Sequence, residues 1–172
     1  MVNQEKQSLK IAFLAPCDPK DKRTFSTCMY YMGRALEKHC EVYYCDPVIS
    51  FEKRFGRLID AVSRRLLKKT VAYDRLFLAA KKHGKIAAQR LDGRSFDAIV
   101  AIWNPLDIAC LETDIPIALV LDATFALQNE YYPQFTNLWE WSAKQANKVE
   151  EMAYQNATVL LYSSDWAVRS AI

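Results

Sequence analysis

The sequence predicts an α/β fold, a doubly wound parallel sheet in three layers with five or more strands. Two observations carry this. Short apolar runs of strand length alternate with helical patterns from one end of the chain to the other. Within residues 10–39, one such run feeds a polar loop and then an amphipathic helix, the opening move of an open α/β sheet.

The first run, KIAFLA at 10–15, is continuously apolar, as a strand buried on both faces must be. The loop at 17–26 is rich in charge and hydroxyls. Beyond it Phe25, Met29, Met32 and Leu36 recur at helical spacing, predicting a helix over 27–39, with Lys38 and His39 where a helix C-terminus favours positive charge. Further strands are expected at 41–45, 97–102, 116–121 and 158–162. The helical pattern of 51–91 falls in at least two pieces, a short helix covers 106–111, and a long one covers 133–156. In that last segment Phe135, Leu138, Trp139, Ala146, Val149 and Ala153 mark one face. Asp92-Gly93-Arg94-Ser95 is a turn before the third strand. Strands separated by helices require right-handed parallel crossovers, with the first strand expected in the centre of the sheet. No repeat or low-complexity linker interrupts the chain, so one Rossmann-like domain over 1–172 is expected.

Composition narrows the function classes. At 172 residues and 51% hydrophobic content, the chain is long enough to bury one core. A net charge of +3 is too mild to predict a nucleic-acid partner. Residues 1–9 are polar and lack the apolar stretch of a secretory signal. No run approaches the roughly 18 apolar residues of a membrane span. The 5 cysteines form no CxxC pair, and their odd number fits reduced thiols in a cytoplasmic setting; no metal site is expected.

The absent motifs matter equally. With only 4 glycines there is neither GxGxxG nor GxxxxGK[ST], so a dinucleotide or P-loop site has no sequence support. Gly33 falls inside a helix and reads as a close approach of helix to sheet. His39 and His83 read as surface residues near helix ends, and no GxSxG elbow accompanies them.

Between 53 and 69 the bases Lys53, Arg54, Arg57, Arg64, Arg65, Lys68 and Lys69 face a single acid, Asp60, while Phe51, Phe55, Leu58, Ile59, Val62 and Leu66 share another face. Two readings stand: a helix covering the sheet with a solvated outer face, or a peripheral contact with an anionic membrane or lipid-linked substrate.

Three stretches together resemble the N-terminal domain of a retaining glycosyltransferase of family 4, with the two-domain GT-B architecture. They are KIAFLAPCDPKDKRTFSTCMYYMGRAL at 10–36, PIALVLDATFALQNEYYPQF at 116–135 and VLLYSSDWAVRSAI at 159–172. The resemblance implies an acceptor-binding, cytoplasmic domain, membrane-associated on the cytoplasmic face if the basic helix makes that contact. It would move a sugar from a nucleotide-sugar, held mainly by a C-terminal domain absent from this chain, to a glycan or lipid-linked acceptor. It implies no cofactor in this domain and no sugar transfer by this chain alone. It also accounts for the helix that starts at Ser163-Ser164-Asp165 and stops at Ile172, after roughly two turns.

Two departures from the family pattern stand out. Thr27 occupies a position, after Thr24 and Ser26, where the family usually has glycine against the donor phosphates. Asp122 stands just after the fourth strand, where the wider family often has histidine. It reads as the candidate catalytic residue, orienting an acceptor hydroxyl, or else as a loop carboxylate capping backbone amides. In the resemblance, Ser26, Thr27, Asn104, Asp122, Thr124, Ser163 and Ser164 gather at one edge of the sheet. Apolar surface around Phe125, Trp166 and Ile172 is then expected to be exposed and prone to self-association. The rival reading is a stand-alone binding module that recruits a separate catalytic subunit.

Overall fold

The computed structural model describes residues 8–24, 27–48 and 52–172, with side chains from 55 onward in the last range. Five strands, β1 (Lys10–Leu14), β2 (Glu41–Tyr44), β3 (Ala98–Ile102), β4 (Ile117–Leu121) and β5 (Val159–Tyr162), form one sheet in the order β2-β1-β3-β4-β5. Every pairing is parallel. β1 is interior, bonded to β2 and β3, but the middle strand is β3, not β1. The helices are α1 (Cys28–Leu36), α2 (Glu52–Leu67), α3 (Phe77–Leu91), α4 (Pro105–Ile108), α5 (Phe125–Gln128), α6 (Glu140–Asn156) and α7 (Asp165–Ala171). The Rossmann-like three-layer α/β/α arrangement follows from the alternation in sequence.

Period-two alternation sorts β1 between the two faces. Ala12 and Leu14 join a cluster with Ile99, Ala101, Leu119 and Leu121, packed under α3, α4 and α6. Phe13 and Ala15 face the other way, with Met29 of α1 and Ile102. On β5, by contrast, Val159 and Leu161 are exposed.

Helix ends differ from the sequence pattern where backbone pairing competes. The helix expected over 133–156 is split into a 3-10 turn at Pro133–Phe135 and α6. Between them the chain makes a parallel bridge to Thr70: Thr70 N–H donates to the Asn137 carbonyl at 2.9 Å, and Trp139 N–H donates to the Thr70 carbonyl at 3.0 Å. Asn137, at φ 54°, turns the chain into that bridge. The start of α7 matches its sequence signal, with the Ser164 hydroxyl accepting the Ala167 N–H at 3.3 Å.

α2 overturns the sheet-covering reading. Its packed face is the polar one, carrying buried Asp60 and Ser63, and its apolar stripe is exposed. Asp60 accepts the Val71 N–H and the Arg64 Nε–H, both at 2.8 Å. The Ser63 hydroxyl donates to the Lys69 carbonyl at 2.7 Å and accepts from Trp139 Nε1 at 2.9 Å. No helix among the described residues is long and apolar enough to cross a membrane.

Three glycines mark close approaches, among them Gly56, where α2 meets Tyr73 and an added Cβ would lie 2.6 Å from the Tyr73 Cβ. A Cβ on Gly33 would lie 2.5 Å from the Tyr44 hydroxyl, so α1 does sit close on the sheet; a Cβ on Gly84 would lie 2.3 Å from the Cys110 carbonyl oxygen. The obstacle at Gly33 is the tip of a side chain, which can swing away; that at Gly84 is backbone. Gly84→Ala is therefore expected to cost about 1–3 kcal/mol or more, and Gly33→Ala less. Thermal melts check this, since each kcal/mol lowers Tm by roughly 2–4 °C in a domain of this size.

Candidate functional site

In the strand order observed, the chain reverses direction across the sheet between β1 and β3, and open α/β sheets bind ligands beyond the carboxyl ends of strands at such a point. A two-lobed cleft lies there. Its inner lobe, about 120 Å³, reaches past Val48 to His83, Asn104 and Asp107. Its outer lobe, about 400 Å³, extends over the end of β4 to Asp122, Gln128, Tyr132 and Phe135. Pro16, Asp74, Arg75, Trp103, Pro105 and Glu150 line both lobes, so the two adjoin.

The inner lobe rests on a buried polar network. The Asp107 carboxylate receives the Asn104 side-chain N–H at one oxygen and meets His83 Nδ1 at the other, both at 2.6 Å. With a carboxylate as acceptor, His83 donates from Nδ1. All three residues are buried. His83 is thus a core residue of α3, which corrects the surface reading, whereas His39 is exposed. His83 sits four residues from Ala79 and from Ala87, in the middle of the buried stripe of α3.

Arg75 comes from a 3-10 turn at Tyr73–Arg75 that follows the bridge at Thr70. Its guanidinium lies 5.0 Å from the Phe125 ring and 4.7 Å from the Phe135 ring, within cation–π range of both. One Nη donates to Gln128 Oε1 at 2.9 Å. Glu150 reaches in from α6 and accepts the Phe125 N–H at 2.7 Å. Burial pushes its carboxyl above the usual range, while the Phe125 N–H, Tyr154 and the Arg75 charge oppose the rise.

The residues singled out from sequence are placed unevenly. Asn104 and Asp122 line the inner and outer lobes. Thr124 is buried, and its hydroxyl both caps α5 through the Leu127 N–H at 3.2 Å and meets the Ser170 hydroxyl at 2.7 Å. It joins α5 to α7. Ser163 and Ser164 are exposed at the end of β5, with Ser164 capping α7. Neither is among the residues lining the two lobes.

Thr24 closes a turn, donating to the Asp21 carbonyl at 2.9 Å, and side-chain hydrogen bonds from Arg23 lower the Asp21 carboxyl to about 2. Thr27 stands at the N-terminal cap position of α1 without a side-chain cap hydrogen bond, at φ 67°, the left-handed backbone that glycine adopts without cost. Ser26 lies outside the described residues. Phe125, expected to be exposed, is fully buried, while Trp166 and Ile172 are exposed.

Sequence reasoning missed Arg75, Trp103, Asp107, Gln128 and Glu150. For Glu150 the signal was present: an acid flanked by Ala146, Val149 and Ala153 on the apolar stripe of its helix. Arg75 had none, because a 3-10 turn has no periodicity to read.

A wider groove of about 780 Å³ runs between α3 and α6, but it lies away from the strand ends. Its amide, Asn156, is engaged by the Ile108 and Leu111 carbonyls at 2.8 and 2.7 Å. Among the described residues, no group of three His, Cys, Asp or Glu side chains could hold a metal ion. Compared with known proteins, the chain matches no family model, no curated protein and no solved structure.

Two outcomes follow from these contacts. A Glu carboxyl whose pKa is raised by folding is stabilising below its unfolded value of 4.5 and costs stability as pH rises through its folded value. Glu150→Gln, which keeps an acceptor for the Phe125 N–H, is therefore expected to raise Tm at neutral pH. That gain should shrink as pH falls toward 4.5. Melts of both proteins across pH check the sign. Thr124→Ala is expected to cost about 1–2 kcal/mol through loss of the cap, measurable by denaturant titration.

Proposed function

We propose that the chain is the acceptor-side domain of a glycosyltransferase, and that its cleft holds the hydroxyl-rich end of a glycan or lipid-linked acceptor. One observation carries this reading. Asp122 stands exposed in the outer lobe and, among the described residues, makes no hydrogen bond or ion pair. The buried acids Asp60, Asp107 and Glu150 are all engaged by the fold. Asp122 is not.

The surroundings suit a sugar. Carboxylate and carboxamide groups (Asp74, Asp122, Gln128, Gln134) offer directional partners to hydroxyls, and Trp103, Tyr132 and Phe135 offer apolar surface to the faces of a ring. In the proposed reaction an acceptor hydroxyl attacks the sugar carbon of a nucleotide-sugar. A new C–O bond forms as the bond to the diphosphate breaks. Asp122 accepts a hydrogen bond from the acceptor and orients its hydroxyl on the face that the diphosphate leaves, so that configuration is retained, and the hydroxyl proton passes to the departing diphosphate oxygen. The departing diphosphate is stabilised mainly by groups outside this chain, so the domain is expected to bind but not to turn over.

The test is a titration of isotope-labelled chain with soluble oligosaccharides, followed by NMR. Amide shifts are expected at 103–105, 122–124 and 128–135, and Asp122→Asn is expected to weaken binding roughly tenfold or more with Tm unchanged. Shifts confined to the groove between α3 and α6, or none with any glycan, would overturn the proposal. So would a variant that loses Tm but keeps its affinity.

A further inference from the structure

We propose that α2 docks the protein on an anionic lipid surface. The proposal rests on α2 alone and does not require the sugar-transfer reading.

α2 divides into three sectors. Asp60 and Ser63, one turn apart, face the body of the protein and are fixed there by Val71, Lys69 and Trp139. Next to them runs a stripe at helical spacing that faces solvent: Phe55 is 70% exposed, Leu58 60%, Ile59 49%, Val62 48% and Leu66 72%. The remaining arc is basic. Arg65 follows Leu58 by two turns and borders the stripe, whereas Arg57 and Arg64 lie on the opposite side of the helix and Arg64 is paired with Asp60 at 2.8 Å. Over 55–69 the sequence has five bases against one acid, and that acid, Asp60, is buried.

Five large apolar side chains in one unbroken stripe are not the scattered exposure of an ordinary surface. The helix is held with this stripe outward by its own polar contacts, so the stripe's exposure is built into the fold. The charge beside it selects the occupant. A second copy packing stripe to stripe about a two-fold axis would cover the apolar side chains but give Arg65, at the edge of the stripe, no negative partner, since the one acid of 55–69 is the buried Asp60. An anionic bilayer supplies both complements at once, hydrocarbon for the stripe and negative headgroups for Arg65 beside it, and its surface potential attracts the net positive charge of 55–69 as a whole. At 16 residues α2 is about 24 Å long, too short and too charged to span, so it lies in the plane of the interface.

The experiment is flotation of the purified chain with vesicles of phosphatidylcholine alone and of phosphatidylcholine mixed with phosphatidylglycerol. Binding is expected to the mixed vesicles, to weaken with added salt, and to be marginal on the neutral ones. The double variants Leu58→Ser with Leu66→Ser, and Arg57→Glu with Arg65→Glu, are each expected to lower partitioning at least about tenfold. All four side chains are exposed, so Tm should stay at the parent value, and that is measured alongside. No binding to mixed vesicles, equal binding to both kinds, or unaltered partitioning by the variants would overturn the proposal. So would a dimer, seen by sedimentation, that the two serines dissolve while the parent ignores vesicles. Glycan titration and flotation are read separately, so either can fail without the other.

Discussion

A carboxylate taken out of water must be met by donors, and this constraint organises the side of the molecule that carries the cleft. Burial of an unpaired carboxylate costs several kcal/mol. Asp60, Asp107 and Glu150 are all buried, and each is met by an N–H from a different segment of the chain. Asp107 ties α4 to α3 through His83 and to the exit of β3 through Asn104. Glu150 ties α6 to the first residue of α5 through the Phe125 N–H. Asp60 ties α2 to the chain at Val71. Apolar packing alone would tolerate sliding among these helices, whereas hydrogen bonds at 2.6–2.8 Å fix their register.

The cleft inherits its shape from those ties. Phe125, placed by Glu150, is buried and edge-on to Phe135, with ring centres 5.5 Å apart. The pair forms the seat on which the Arg75 guanidinium lies. Trp103 enters the cleft from a left-handed backbone at φ 49°, a conformation that costs a bulky residue about 1–3 kcal/mol. Its N–H still completes the ladder to the Val120 carbonyl at 2.8 Å. Strain of this kind persists only where neighbours over-determine the backbone. Thr27, on the loop after β1, is the second left-handed residue flanking the crossover point.

What the sequence revealed was whatever a period can encode. The five strands, their parallel sense and the helices between them were legible from KIAFLA, EVYY, AIVAI, IALVL and VLLY, because strand and helix burial impose repeats of two and 3.6. The direction of a stripe was less so. Apolar faces on α2 and α3 look alike in sequence, yet α3 turns its stripe to the sheet and α2 turns its stripe to solvent. The difference lies in Asp60 and Ser63, whose partners at 69, 71 and 139 no local pattern announces. His83 and Glu150 broke the apolar stripes of α3 and α6, and such an interruption marks a buried polar group with a partner elsewhere. Asn104 and Asp122 could be placed in the cleft because parallel topology brings strand exits together. Thr124 could not be told from them, since its engagement by Ser170 depends on how α7 folds back.

The surface helix and the cleft share one piece of backbone. From Thr70 to Arg75 the chain is held at successive residues: Thr70 by the bridge to Leu138, Val71 by Asp60, and Ala72 by the Ser142 hydroxyl at 2.9 Å. Its next residues, Asp74 and Arg75, line both lobes of the cleft. α2 is therefore mounted on the same strut that presents Arg75, with no long loop between them to absorb movement. A strut bonded to the fold at three successive residues, 70–72, transmits position rather than a switch, because coupling between sites requires an element with two arrangements. Its consequence is geometric. Whatever surface α2 rests on, the cleft meets that surface at a fixed angle and height. In the proposed reading, such a mounting would hold the cleft at one distance from the headgroups, where the polar end of a lipid-linked acceptor stands.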